Sequence, residues 1–327
     1  MRIIDKKIIL ILAFLFVILM MPIRNVSSIG ITIPSGDFEI RMTPEYPGAN
    51  TNVEAKIVSF SFDVDSSNIT WTLNGKIIEQ GTGAKTVEFQ TGAIGSTLSL
   101  SVFIVSNNGK QVENKTTFKI VEADILWDAN TYTPYFYKGK SEPVIYNKIN
   151  VTAIPHGFSP KDKDLIYNWS KDYKNVANAS GTGKSAYSFS FSELRDTEKI
   201  GVEISNAQKT ESYKKTITIK MKQPEILFYE ENPLEGPLYQ RSISQNFDMQ
   251  KQEMVIRAEP FFFPKEDVES LSLNWSAGGE RITPLSRQNI IGLTTLLNME
   301  GESVIGLTVK NTRKLFQEVA NEFKLNF

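Results

Sequence analysis

The segment Gly181–Ser185 has the residue types of a phosphate-binding loop. It reads Gly-Thr-Gly-Lys-Ser, like the end of the motif in which glycine amides cradle phosphates and a lysine reaches them. That motif also requires a glycine five residues before Gly183, and Asn178 stands there. Residues 81–85 read Gly-Thr-Gly-Ala-Lys at a comparable place. We therefore expect one turn that occurs in two copies of a repeat, and no nucleotide site.

One acidic loop offers ligands for Ca²⁺. Asp63, Asp65 and Asn68 carry side-chain oxygens, which Ca²⁺ prefers, but a complete site needs about six to eight of them. Because no full set of oxygen ligands is visible in the sequence, we expect a solvated turn there and no metal site.

The chain has few of the side chains that catalysis uses. Its 327 residues include no Cys and a single His, His156. The absence of Cys excludes disulfides, thiolate metal sites and a Cys nucleophile. A serine nucleophile would have a single imidazole, that of His156, as its possible base. A pair of carboxylates from distant strands stays open. We expect His156 to be exposed in its Pro-Gly loop, and the sequence predicts a protein that is not an enzyme and has no cofactor.

The charges of the chain are nearly balanced. There are 36 Lys and Arg residues against 37 Asp and Glu residues, a net charge of −1. Binding to nucleic acid needs a clustered basic excess to neutralise phosphates. We therefore expect no nucleic-acid partner.

Two aromatic-rich loops are the strongest candidates for contact with a partner. Residues 260–264 read Pro-Phe-Phe-Phe-Pro, and strand alternation places Phe262 on the side opposite Phe263, facing outward. An exposed aromatic side chain favours docking of a protein or a polysaccharide. Packing against a neighbouring unit stays open as the alternative for both loops. The residues predicted to contact a partner are Phe261, Phe262, Tyr132, Tyr135 and Tyr137.

Three copies of one pattern organise the chain. Each copy has an alanine in an apolar strand, a phenylalanine five residues later, and a tryptophan 16 or 17 residues after the alanine. Recurrence at a fixed spacing indicates three structural copies. We expect these apolar residues to form the core of each copy: Ala55, Phe60 and Trp71; Ala153, Phe158 and Trp169; Ala258, Phe263 and Trp275.

The strands between these positions alternate apolar and polar residues and end at turn residues, as in Val102–Asn107. Alternation of this kind, with turns at short intervals, is typical of a β-sandwich. We predict an all-β chain of three tandem domains, 36–121, 122–222 and 223–327. Because only two or three residues join one domain to the next, we also predict a semi-rigid rod.

The first 28 residues are predicted to be a signal peptide or an N-terminal anchor. Arg2, Lys6 and Lys7 precede an unbroken apolar run of fourteen residues, 8–21. The run is short for a membrane span and fits the hydrophobic helix of a signal peptide. Arg24 stands where a cleavable signal is normally uncharged, so an uncleaved anchor helix stays open.

The three units resemble bacterial immunoglobulin-like and polycystic-kidney-disease-type (PKD-like) repeats of the cell envelope. The similarity rests on the tryptophan of the third strand and on the alternating strand before an Asn-Gly turn, most clearly Val102–Gly109. The resemblance implies an immunoglobulin-like fold and a role in adhesion, spacing or recognition at the cell surface.

These inferences lead to three hypotheses. The first is an exported, non-enzymatic envelope protein, a stalk or adhesion module whose partner is a protein or a surface glycan outside the inner membrane. The second is a carbohydrate-binding accessory protein that uses the aromatic loops. The third is a periplasmic factor for pilus or secretion assembly, tethered by residues 8–21. The chain would contact a membrane only through that segment, if it remains uncleaved.

Overall fold

The computed structural model describes residues 38–159, 161–191, 195–285, 287–295 and 300–327. The predicted signal or anchor, residues 1–28, lies outside the described residues. The described chain is nearly all β-strand, with two short 3₁₀ helices, Asp162–Asp164 and Lys265–Ser270, and the prediction of an all-β fold is confirmed. Within these ranges, no helix is both long enough and apolar enough to cross a membrane.

The first unit, described over residues 38–121, is a sandwich of two antiparallel sheets. Its strands are β1 (Phe38–Thr43), β2 (Asn52–Ser59), β3 (Asn68–Leu73), β4 (Lys76–Thr82), β5 (Thr86–Gln90), β6 (Thr97–Val105) and β7 (Gln111–Lys119). The strand orders are β1-β2-β5 and β4-β3-β6-β7. Alternate side chains from both sheets meet in one apolar core, which makes the unit an immunoglobulin-like sandwich.

The second unit (122–222) repeats this plan with a broken fourth strand. Its strands are β8 (Glu122–Ala129), β9 (Lys148–His156), β10 (Ile166–Lys171), β11 (Lys174–Asn175), β12 (Gly181–Thr182), β13 (Ala186–Ser190), β14 (Thr197–Ser205) and β15 (Ser212–Lys220). The sheets are β8-β9-β13 and β11-β10-β14-β15, and β12 also pairs with β10. Two fragments, β11 and β12, thus replace the single strand β4.

The third unit (223–327) adds a short strand at one edge of each sheet. Its strands are β16 (Glu225–Asn232), β17 (Gly236–Pro237), β18 (Asn246–Asp248), β19 (Glu253–Phe261), β20 (Leu271–Ala277), β21 (Glu280–Ile282), β22 (Ile290–Thr294), β23 (Glu302–Asn311) and β24 (Glu318–Asn326). The sheets are β17-β16-β19-β22 and β18-β24-β23-β20-β21, in which β18 runs parallel to β24. The added strands, β17 and β18, pair backbone groups that an open sheet edge would expose.

One tryptophan lies at the centre of every unit. Trp71, Trp169 and Trp275 are 0%, 0% and 1% exposed, and each indole N–H donates to a main-chain carbonyl just before the next strand of the opposite sheet. The acceptors and their distances from Nε1 are Ala84 at 2.7 Å, Lys184 at 2.8 Å and Gln288 at 2.8 Å. Because an unpaired buried donor costs about 1–3 kcal/mol, the burial of the indole requires this crossover to be in place.

The register of the first unit differs from the sequence alignment of the three copies. In the second and third units, the main-chain N–H groups of Ala153 and Ala258 donate to a carbonyl at 2.8 and 2.9 Å. In both cases this carbonyl belongs to the residue that directly follows the acceptor of the indole N–H. In the first unit Ile57 makes this bond, at 2.9 Å, so Ile57 and not Ala55 is the structural equivalent. A shift of two residues keeps the same face of the strand, which explains why Ala55 is buried all the same.

The expectation that Phe60 belongs to the core is wrong. Its side chain is 95% exposed. With the register set by Ile57, the corresponding phenylalanine is Phe62, which packs edge-on against Phe38 with the ring centroids 6.3 Å apart. Phe62 therefore takes the place that the partly buried Phe158 and the fully buried Phe263 occupy in the other units.

The two Gly-Thr-Gly segments are the same crossover from one sheet to the other. Gly183 has a φ of +70°, and a Cβ on it would lie 2.9 Å from the Lys163 oxygen. Gly83 has a φ of +72°, and its Cβ would lie 3.0 Å from the Asp65 oxygen. The carbonyl that accepts the indole N–H belongs to the residue directly after each of these glycines. The segment is therefore a structural turn, as the sequence predicts.

We expect Trp169→Ala to destabilise the second unit by about 3–5 kcal/mol, the cost of deleting a large buried aromatic side chain. Trp169→Phe keeps most of the apolar surface but leaves the Lys184 carbonyl without its donor, so we expect a smaller loss of about 1–3 kcal/mol. Hydrogen exchange of the β10 and β14 amides measures the opening free energy. The β3 and β6 amides are the internal control, and a loss under about 1 kcal/mol for Trp169→Ala would contradict the core position.

We expect Gly183→Ala to cost about 2–4 kcal/mol, because the added Cβ meets both an unfavourable φ and the Lys163 carbonyl. Gly75→Ala is the matched control. Gly75 also has a positive φ, +81°, but nothing lies within 4 Å of its added Cβ, so only the conformational cost of about 1 kcal/mol applies. Thermal unfolding by calorimetry compares the two. Equal losses would show that the contact with Lys163 has no cost.

Candidate functional site: the aromatic joint between the second and third units

The connection between β8 and β9 reaches the third unit. It spans residues 130–147, whereas residues 44–51 join the corresponding strands of the first unit. Tyr132 N donates to Phe263 O at 2.6 Å, and Phe262 N donates to Tyr132 O at 2.7 Å. These two bonds, with a bridge between Thr131 and Pro264, pair the backbones of the two units. Residues 130–147 and 261–265 together form the second joint.

The expectation that Phe261 and Phe262 face a partner is wrong. Their side chains are 2% and 5% exposed and form an apolar cluster with Val144, flanked by Phe136 and Leu227. The strand β19 ends at Phe261, and Phe262 has a φ of +65°. This left-handed residue interrupts the alternation of the strand, so Phe262 turns into the joint. The alternative of packing against a neighbouring unit is the one that holds.

Most of the other predicted contact residues pack inside the same joint. Tyr137 lies edge-on to both phenylalanines, with ring centroids 5.5 Å from Phe261 and 5.8 Å from Phe262. Tyr132 is half-buried. The neighbouring Phe136 stacks on Tyr239 of the third unit with centroids 3.7 Å apart and an angle of 18° between the rings. These rings hold the two units together.

Tyr135 is the exposed ring of this set. It is 82% exposed, and its ring stands edge-on to Phe136 at 5.7 Å and to Tyr239 at 5.8 Å. Edge-to-face contacts of this kind stabilise a pair by about 0.5–1.5 kcal/mol. Two packed rings therefore position Tyr135 at the surface of the joint, where its face can meet a partner.

A buried carboxyl supports the stacked rings. Glu259 of β19 is 7% exposed, and the Tyr239 hydroxyl donates to its Oε1 at 2.8 Å. Burial raises the pKa of Glu259, against the opposing effects of Tyr239 and Arg257. Burial and the bond to Glu259 also raise the pKa of Tyr239. Tyr239 therefore stays a protonated donor, and its ring is fixed under Tyr135.

A polar network closes the other side of the second joint. Gln317 Nε2 donates to the Ile145 oxygen at 2.5 Å, and Gln317 Oε1 accepts from Asn311 Nδ2 at 2.7 Å. Asn311 also donates to Asp267, which pairs with Lys314 at 2.9 Å. Burial alone would raise the pKa of Asp267, but these two partners lower it. The carboxylate therefore stays charged and keeps the network in place.

The first joint, between the first and second units, uses different residues. Glu122 Oε1 accepts from Ala49 N at 2.5 Å. Glu211 accepts from the main chain and hydroxyl of Ser159 at 2.8 and 2.6 Å, and Ser159 accepts from Lys119 at 2.8 Å. A Cβ on Gly157 would lie 2.7 Å from Ile94. The two units are therefore in close contact at this joint as well.

The other chemical candidates have structural partners. Asp63 Oδ1 accepts from Asp65 N at 3.0 Å, and Asp65 pairs with Lys85 at 2.6 Å. His156 is 41% exposed at its side chain and lies 3.1 Å from Asp124. In the part of the chain that the structure describes, no group of three or more His, Asp or Glu side chains is placed to hold a metal ion.

The comparisons with known proteins concern the fold. No family model matches the chain, and no curated protein matches its sequence. Similar solved structures are tandem fibronectin-III and immunoglobulin-like arrays. The fibronectin(III)-like modules of Clostridium thermocellum CbhA align at 14% identity and TM-score 0.27 over 56% of this chain and 94% of that one. The central fibronectin-III array of RIM-binding protein aligns at 9% identity and TM-score 0.32 over 86% and 93%.

A third similar structure is the set of three N-terminal domains of the bacteriophage RB49 Highly Immunogenic Outer Capsid protein, with 9% identity, TM-score 0.24 and coverage of 89% of this chain and 97% of that one. All these TM-scores are below 0.5, so no functional conclusion follows from them. The strand order of the units is what establishes the immunoglobulin-like fold.

Sequence reasoning missed the residues that complete the second joint. Tyr239 and Gln317 lie outside both aromatic loops, 132–137 and 260–264, and Glu259 directly precedes the second loop, but none of the three belongs to a motif. The available signal was the connection 130–147, which is longer than the connection 44–51 of the first copy. A loop longer than about 12–15 residues without secondary structure of its own is uncommon and usually has a function.

We expect Phe262→Ala to open the second joint while leaving each sandwich folded. The main-chain N–H groups of Tyr132 and Phe262 should lose about 3–5 kcal/mol of protection against hydrogen exchange, the cost of removing a buried phenylalanine ring. Tyr135→Ala is the matched control, because its ring is exposed and should change these values by less than about 1 kcal/mol. Equal effects would show that Phe262 does not hold the joint.

Proposed function

We propose that this protein is an exported, non-enzymatic component of the cell envelope that acts as a semi-rigid scaffold or adhesion module. Its partner is a protein or a surface glycan outside the inner membrane. The fold supports an interaction role, since the repeated sandwich presents sheet faces, sheet edges and loops at fixed positions. The basic start and apolar run 8–21 support export.

The observation that carries the proposal is the construction of the second joint. Main-chain hydrogen bonds at Tyr132, a buried cluster around Phe262 and the Gln317 network all cross between two sandwiches. Contacts between domains of one chain are often small and leave the domains mobile. Buried aromatic side chains and backbone hydrogen bonds connect the two domains at this joint. Such a joint is suited to hold the domains at a set angle, and a spacer requires a set angle between its domains.

Export is tested by cell fractionation with N-terminal sequencing of the protein. The proposal expects the chain in the envelope or medium, with a start near Ile29. Met1 retained in the membrane fraction would instead support the tethered assembly factor. Recovery of the full chain in the cytoplasm would contradict export. A control variant with Leu12→Arg and Leu15→Arg interrupts the apolar run and should remain inside the cell.

The second candidate function is carbohydrate binding at the second joint. It is favoured by Tyr135, whose ring is 82% exposed and positioned by Tyr239 and Phe136. A planar ring of this kind can stack on the apolar face of a sugar. Binding on a glycan array should fall at least tenfold in Tyr135→Ala and persist in Tyr173→Ala, a second exposed tyrosine in the same unit. Equal binding by both variants would reject this site.

A further inference from the structure

A groove in the second unit lies where its fourth strand is broken. In the first unit β4 is one strand that pairs with β3 on both sides of a bulge, whereas a turn at residues 176–180 separates β11 from β12 in the second unit. A groove of about 650 Å³ opens at this turn and faces solvent. Volumes of this size are typical of small-molecule sites, about 300–1,000 Å³. The groove is thus a product of the break in the strand.

An ion pair between the partly exposed Lys171 and the buried Glu198 forms the floor of the groove. Lys171 Nζ lies 2.9 Å from Glu198 Oε1, and Glu198 is 1% exposed. Lys171 also donates to the Ser190 oxygen at 3.3 Å. Glu198 Oε2 is buried and has no hydrogen-bond partner among the residues that the structure describes. The pair is therefore only partly satisfied by its surroundings.

The first unit has leucines in the places of this ion pair. Trp71 pairs with Val102 and Trp169 with Val202, so the strand registers place Leu73 where Lys171 stands and Leu98 where Glu198 stands. Both leucines contact the core of the first unit. A buried ion pair usually stabilises a fold no better than apolar side chains of similar size. Ionisable groups buried in a cleft are instead common at functional sites.

Basic groups predominate around the groove. Arg195 pairs with Asp172 through one of its nitrogens, which leaves most of the guanidinium's five donors to other partners. Lys174 is exposed on the wall, and Lys184 Nζ reaches the edge at the Asn178 oxygen, 2.9 Å away. The groove itself is lined by three basic side chains, Lys171, Lys174 and Arg195, and two acidic ones, Asp172 and Glu198. Such an excess of charged donors recognises carboxylates and phosphates.

We propose that this groove binds a small ligand through an anionic group, a carboxylate or a phosphodiester, held by Lys171, Lys174 and Arg195. Glu198 is a positioning residue that holds the Lys171 ammonium group at the floor. The site is independent of export and of the surface of Tyr135. It would give the second unit a binding task that the first unit, with its leucine pair, lacks.

The groove should bind an anion more tightly as the pH falls. Burial raises the pKa of Glu198, as does the neighbouring Asp172, while Lys171 opposes the shift. The ionisable groups facing Glu198 are Lys171 and Asp172 at the end of β10, Tyr187 on β13 and Arg195 before β14. When Glu198 takes up a proton, the groove gains one unit of positive charge. The affinity for an anion should therefore rise as the pH falls through the raised pKa of Glu198.

The test measures binding of three probes to the full chain by calorimetry and by amide chemical shifts. The probes are trigalacturonate, which carries carboxylates, glycerophosphoglycerol, which carries a phosphodiester, and the neutral sugar maltotriose. We expect one of the two anionic probes to bind and to shift the amides of residues 174–178, and this also identifies the anionic group. Absence of binding by both, or equal binding of maltotriose, would overturn the proposal.

Four variants test the residues. Lys171→Leu with Glu198→Leu restores the apolar pair of the first unit, so it should fold and should weaken binding at least tenfold. Arg195→Gln changes a half-exposed side chain, so this variant should also fold and should also weaken binding at least tenfold. Glu198→Gln should keep binding and lose its pH dependence. Lys214→Gln, on β15, makes the same change of charge at another exposed site and should bind within twofold of the parent chain. Full affinity in the double variant or in Arg195→Gln would overturn the proposal.

Discussion

The hydrogen bond from each core tryptophan to the crossover carbonyl is the interaction on which the rest of the structure depends. It links the third strand of one sheet to the segment that enters the other sheet, across an interior that offers few other polar partners. Because an unmade bond would leave both a donor and an acceptor buried, the two sheets must close in a single register. Three different sequences satisfy this requirement, with Gly-Thr-Gly crossovers in two of them.

The three units share their core and differ at their sheet edges and loops. The first has a single fourth strand, β4, the second has a broken one with a groove, and the third has two extra edge strands, β17 and β18. The long connection of the second unit carries the aromatic residues that close the second joint. Common cores with different edges and loops give each unit a different surface.

The sequence predicts the fold class and the central residues because both follow from periodicity. Alternation identifies strands and their inner face, and it correctly places Trp71, Trp169 and Trp275 inside. It does not fix the register, since a shift of two residues keeps the same face, and the phenylalanine that packs on the first core is therefore Phe62 and not Phe60. It also fails at Phe262, where a left-handed residue ends the alternation. The groove of the second unit depends on a broken strand and on residues far apart in sequence.

We propose that the two joints hold the three sandwiches in one fixed arrangement. Pulsed electron spin resonance measures this directly, and the chain has no Cys, so spin labels at Glu113→Cys in β7 and Glu280→Cys in β21 are unique. Both positions are exposed. The account predicts a single narrow distribution of distances between the first and third units. A broad distribution, or several separate peaks, would show mobile domains and would contradict it.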